Sequence, residues 1–149
     1  MNVAAIVVAA VGGTLTDLGP WYQSLREPAW KPPDAAFGPI WTVIFACAVV
    51  SGVTGWQNEP TAAGRQRIVG LFAINGLLNL LWSLMFFQVK RPDLALVEVA
   101  ALWLSILVLM VVLYRRSARA SALLLPYLIW VSIASALNYE VVVLNGPFA

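Results

Sequence analysis

Long apolar runs, each close to the thickness of a bilayer, constrain this chain more than any other feature. Five of them alternate with short polar gaps, at about 3–18, 39–56, 68–89, 94–114 and 121–144. A helix needs roughly 20 apolar residues to cross the hydrocarbon core, within a range of about 17–25. The gaps hold charge or helix breakers: Arg26 to Pro33, Asn58 to Arg67, Lys90-Arg91-Pro92 and Arg115 to Arg119. The runs are too long for the strands of a small barrel and lack period-two alternation. In hydrocarbon every backbone N–H and C=O has to be paired within the protein, which leaves helices as the spanning form. The fold expected is all-α: an integral membrane bundle of five transmembrane helices, forming one domain over residues 1–149.

Composition agrees. Apolar residues make up 61% of the chain and charged residues 11%, against about 45–50% and about 25% in a soluble domain. Too little polar surface remains to cover a soluble globule. The net charge of +2 is no basic patch, so nucleic acid is not an expected partner and the lipid bilayer is. The first run has no Lys or Arg before it and is followed by four more, which reads as a retained helix rather than a cleaved signal. Arg65, Arg67, Arg115, Arg116 and Arg119 fall on the side of the N-terminus, and Arg26, Lys31, Lys90 and Arg91 on the other, a weak vote for a cytoplasmic N-terminus.

Two absences narrow the chemistry. The sequence has no histidine, which removes the commonest metal ligand, general base and haem ligand. It has one cysteine, Cys47, which sits in an apolar run as a small packing residue and forms no disulfide within the chain. No metal site and no obligatory cofactor are expected. The excess is in tryptophan, seven in all.

The connection between the first and second runs, about 19–38, is unlike the others. It holds Pro20, Pro28, Pro32 and Pro33, with Pro39 just beyond, so it is not one helix. Trp21, Tyr22 and Trp30 suit the headgroup layer. Two readings stand side by side: an aromatic belt on a stiff connector, or a proline-rich lid folded over the mouth of the bundle. Stiffness favours the lid, because prolines lower the entropy lost on adopting one shape. Pro39 suits the first turn of the helix that follows.

Helical periodicity then sorts the polar and aromatic residues. In the third run Asn75, Asn79, Trp82 and Phe86 share a stripe about 60° wide. Amides in hydrocarbon need partners, so this stripe faces protein or a cavity, as interhelical glue or as a ligand wall. In the fifth run Pro126, Trp130, Ala134, Leu137 and Val141 share a stripe, flanked by Tyr127 and Asn138. Pro126 is expected to kink this helix, and Ala134 leaves room beside the Trp130 indole. In the second run Trp41, Phe45, Ala48, Gly52 and Gly55 align. The Ala48/Gly52 and Ser51/Gly55 pairs permit close helix packing, so this helix should pack tightly at one end and open at the other. Glu98 and Glu140 lie near span ends and read as interfacial carboxylates rather than a proton relay. Strict alternation of spans puts Trp41 near the lid and Trp130 deeper, toward the opposite end. The picture from the residues is a pocket of Trp, Tyr and Asn beneath a proline-rich cover, suited to a flat, largely apolar ligand with a few polar groups.

Three stretches carry a family resemblance: WYQSLREPAWKPPDAAFGPIW from Trp21, NGLLNLLWSLMFF from Asn75 and PYLIWVSIASALNYE from Pro126. Their order and the span count resemble the TspO/MBR family, which includes the translocator proteins, tryptophan-rich sensory proteins and peripheral benzodiazepine receptors. The resemblance implies a five-helix membrane protein, commonly a homodimer; which membrane holds it is not given by the sequence, with a bacterial one expected. It implies ligands such as protoporphyrin and haem-type tetrapyrroles, and also sterols and benzodiazepine-type drugs. Some relatives promote light-dependent porphyrin breakdown; the residues matching that chemistry are Trp41 and Trp130. The pocket positions matching the family are Tyr22, Trp41, Asn79, Trp82, Trp130 and Ala134, and the stripes add Phe45, Phe86, Leu137 and Asn138. The animal sterol motif is incomplete: Leu137 and Tyr139 are present, but no Lys or Arg follows.

Overall fold

The computed structural model describes residues 18–147. The first apolar run, 3–18, lies almost wholly outside these residues. Four helices among those described are long and apolar enough to cross a membrane, matching the second to fifth of the expected spans.

A short helix α1 (Pro20–Ser24) opens the described chain, started by a proline in its first turn. After it come an extended stretch and one 3-10 turn (Asp34–Ala36), so the prolines break this segment as expected. Helix α2 (Phe37–Asn58) follows, with Pro39 in its first turn, where a missing N–H costs no hydrogen bond. Helix α3 (Ala62–Ser83) is capped by the Thr61 hydroxyl, which accepts from the Gly64 N–H at 2.9 Å. It therefore starts well before the expected boundary at 68. The count of apolar residues excluded Arg65 and Arg67, yet both lie inside the helix. Arginines at a span end keep their heads in the polar layer while their backbone stays helical.

α3 ends in a π turn (Leu84–Gln88), where the Val89 N–H reaches the Leu84 carbonyl at 2.8 Å. Helix α4 (Pro92–Tyr114) begins at a proline. The last span is broken: α5 (Ala118–Ala122) and α6 (Leu125–Asn145) are separated at Leu123 and Leu124. Pro126 is the cause. It has no N–H to offer the carbonyl a turn earlier, and the chain kinks there as the sequence implied.

Helix α4 forms the spine of the core. Val99, Leu102, Ile106, Leu109 and Leu113 are fully or almost fully buried and make one face at helical spacing. α3 and α6 pack on either side of it. α2 is seated on the bundle through its lower half. Ser51, Gly52 and Gly55 are buried, the Ser51 hydroxyl donates to the Ala120 carbonyl at 2.6 Å, and Gly55 faces the Leu113 and Ile68 side chains. The upper half of α2 carries Trp41 and Phe45 and stands off from α6. The helix packs tightly at one end and opens at the other, as its small residues require.

Candidate functional site

The open end of α2 borders a cavity of about 650 Å³, within the usual range of roughly 300–1,000 Å³ for small-molecule sites. Its walls are α2, the upper part of α3 and the middle of α6, with Leu18, Tyr22 and Asp34 of the first connection lining its mouth. The ten residues named as candidate ligand contacts all line it: Tyr22, Trp41, Phe45, Asn79, Trp82, Phe86, Trp130, Ala134, Leu137 and Asn138; Asn75, Pro126 and Val141 of the same stripes do not.

Aromatic rings dominate the walls. Trp41 stacks on Phe45 with centroids 5.5 Å apart, and meets Trp130 edge to face at 6.4 Å. Phe37 packs edge-on against Trp130 at 5.7 Å. Across the cavity, Trp82, Phe86 and Phe87 form a second cluster, with Phe86 and Phe87 4.8 Å apart. Such edge-to-face and tilted contacts hold each ring in a defined orientation.

The contact between Trp41 and Trp130 corrects the expected depths. The last span, counted from Ala118 to Asn145, is 28 residues long, and α2 is displaced along it. Ser51 is level with Ala120 through its hydrogen bond. Ten residues back along α2 and ten forward along the antiparallel partner, each about 15 Å of helix, bring Trp41 and Trp130 to one level. The first connection occupies the space above them.

The polar groups are fixed by their partners. The Tyr127 hydroxyl accepts from Asn79 Nδ2 at 3.0 Å and donates to Asn75 Oδ1 at 3.1 Å, and Asn75 Nδ2 reaches the Ser105 hydroxyl at 2.9 Å. Asn75 is therefore interhelical glue, whereas Asn79 serves both roles: its Nδ2 is used by Tyr127 and the residue lines the cavity. Asn138 accepts from the Trp82 indole N–H at 3.2 Å and donates to the Pro92 carbonyl at 2.8 Å. It thereby ties α6 to α3 and α4.

At the mouth, Tyr22 is only 4% exposed, a wall residue and not part of an interfacial belt; Trp30, at 50% exposed, lies outward. The Lys31 ammonium donates to the Tyr22 hydroxyl at 3.0 Å and to Glu27 at 2.9 Å, and is paired with Asp34. Burial of the ammonium works against its charge, but its hydrogen bonds to Asp34, Tyr22 and Glu27 outweigh this and raise the Lys31 pKa. Burial pushes the Tyr22 phenol up, against the opposing pull of Lys31. The same segment is clamped to the end of α6: the Arg26 N–H donates to Asn145 Oδ1 at 2.7 Å, and Asn145 Nδ2 donates to the Arg26 carbonyl at 2.9 Å.

Several wall residues were not anticipated. Thr42, Ala46 and Val49 line the cavity beside Trp41 and Phe45, and Ser83 follows Asn79 by one turn; helical spacing could have found these. Phe87 could not be found that way, because the π turn brings it inward beside Phe86. Glu98 also differs from expectation. It is buried, at 8% exposed, rather than interfacial. Tyr139 is 55% exposed and turned away from the cavity. Among the described residues no cluster of His, Cys, Asp or Glu could hold a metal ion.

The TspO/MBR family model matches residues 1–144. The chain is 42% identical to the tryptophan-rich protein TspO of Chlorobaculum tepidum, over 94% of this chain and 90% of that one. It is 35% identical to the tryptophan-rich protein TspO of Archaeoglobus fulgidus, covering 98% and 94%. It is 31% identical to the translocator protein of Sus scrofa, covering 89% and 83%.

Proposed function

This chain belongs to the TspO/MBR family of integral membrane proteins, and from that premise we propose that it is a receptor or carrier for porphyrins. The ligand class is a flat, largely apolar ring with a few polar groups: protoporphyrin, a haem-type tetrapyrrole or a hydrophobic drug-like molecule. The observation that carries this reading is the make-up of the cavity. Indole faces at Trp41, Trp82 and Trp130 offer stacking surfaces. With Asn79 Nδ2 engaged by Tyr127, the Asn79 carbonyl oxygen is the amide acceptor on offer to a ligand N–H or O–H. The connection holding Tyr22 and Asp34 serves as the lid, held by the Lys31 cluster and the Asn145 clamp. The homodimer that the resemblance implies is part of this proposal, and crosslinking in vesicles tests it.

A second reading is favoured by the edge-to-face contact of Trp41 with Trp130 at 6.4 Å. In it, light excites a bound porphyrin, dioxygen is the oxidant, and an indole at the cavity wall supplies an electron to the excited ring. Titration of the purified protein with protoporphyrin in the dark, followed by illumination, separates the two. A receptor gives saturable binding and an unchanged porphyrin spectrum in the light. A degrading protein bleaches the porphyrin, and Trp41→Phe or Trp130→Phe keeps much of the affinity while losing the bleaching. Absence of saturable binding in the dark sinks both.

A further inference from the structure

Glu98 is a charged-type side chain in the middle of the bundle that no feature above employs. It is more than nine-tenths buried, and neither carboxyl oxygen has a hydrogen-bond partner. It lies two turns into α4, on the side shared with Ser105, which meets Asn75 of α3. α4 packs against α3, α6, α5 and the π turn, and the π turn, Leu84–Gln88, holds no charged residue. α3 turns Asn75, Asn79 and Ser83 inward, none of them charged. From α6, Tyr127 is the titratable group within electrostatic reach of Glu98. α5 sits at the far end of α4, where Ser121 bonds the Met110 carbonyl. Among the described residues, no cation and no donor faces the Glu98 carboxyl.

A bare carboxylate cannot be left so, since an ion taken out of water needs a counter-charge or hydrogen bonds. Ionisable groups inside a membrane bundle point to function by default. We propose that the Glu98 carboxyl is a binding site for a small monovalent cation, a proton or a sodium ion, within the membrane-spanning bundle. Both sources supply the same chemistry, a positive charge small enough to sit on the carboxyl itself. Sodium needs several further oxygen ligands, whereas neither Glu98 oxygen has a hydrogen-bonding group beside it, which favours the proton. The site is coupled to the cavity through one residue: Tyr127, within electrostatic reach of Glu98, accepts from Asn79, which lines the cavity. Gain or loss of the cation therefore changes the field on the hydrogen bond that orients Asn79. This inference concerns the protein without ligand and stands whether or not a porphyrin binds.

Infrared difference spectra between the full-length protein and Glu98→Gln, in lipid vesicles, test it without a reagent that has to reach the site. Glutamine keeps the size and polarity of a neutral carboxyl, so the variant retains the packing. With a proton bound, the difference spectrum at neutral pH holds the carbonyl band of an undissociated acid, and exchange of choline for sodium at constant ionic strength leaves it unmoved. With sodium bound, the difference holds carboxylate bands that shift on that exchange. Carboxylate bands insensitive to sodium at neutral pH overturn the proposal. Tryptophan emission from the cavity is the second readout: it follows the same pH or sodium titration in the wild type and is flat in Glu98→Gln. A wild-type emission that ignores the titration overturns the link to the cavity.

Discussion

Asn138 shows how much of the cavity wall rests on single amides. Its side chain satisfies the Trp82 indole and the Pro92 carbonyl together, and it is almost wholly buried at 1% exposed. Asn138→Leu keeps the volume but strands both partners. An unsatisfied buried group costs about 1–3 kcal/mol, so unfolding in detergent should shift by about that amount, and Trp82 emission should change with it. At the other end, Glu59 accepts from the Thr61 N–H and hydroxyl and pairs with Arg116 at 2.9 Å. Burial opposes the charged form, yet these contacts prevail and lower the Glu59 pKa from its ordinary 4.5. The sign follows from that direction. A carboxylate whose folded pKa is depressed adds stability above its unfolded pKa and loses it as pH falls through the folded value. Melting temperature should therefore fall as pH drops below about 4.5, and Glu59→Gln should flatten that part of the curve. An unchanged acid limb in the variant would contradict the assignment.

Among the elements, α2 depends on having almost no side chain at its lower contact. A Cβ on Gly55 would collide with the side chain of Leu113, itself fully buried. Gly55→Val should destabilise the fold by about 1–3 kcal/mol through overpacking, read as a lowered midpoint in thermal unfolding; an unchanged midpoint would mean that α2 is not seated there. The contact was legible in the small-residue spacing, as were the aromatic and amide stripes of α3 and α6, because a period near 3.6 dictates which residues share a face. The start of α3 was not, since arginines at a membrane edge look like a gap while their backbone remains helical. The π turn was not legible either. Its local i to i+5 hydrogen bond leaves no mark in the pattern of residue types, and so Phe87 was missed beside Phe86.

Across the whole molecule, direction and length of spans could be read, but the sliding of one span along another could not. Alternation correctly opposes α2 and α6, yet Trp41 and Trp130 meet because Ser51 is level with Ala120 and the proline-rich connection fills the space above α2. That offset comes from tertiary packing, which leaves both indoles on one cavity. The burial of Glu98 was hidden for the same reason: its place two turns inside α4 looked like a span end until α3 and α6 were packed around it. The central claim is that this one cavity binds the ligand, and Ala134 is its most direct probe, since it lines the wall between Trp130 and Leu137. Ala134→Trp fills the space while keeping every residue of the Tyr127 and Asn138 hydrogen bonds unsubstituted. In vesicles, protoporphyrin should quench wild-type tryptophan emission to a plateau, and the variant should need at least about tenfold more porphyrin, equivalent to about 1.4 kcal/mol. Quenching that rises without a plateau, or follows the same curve in both proteins, would contradict a specific site in this cavity.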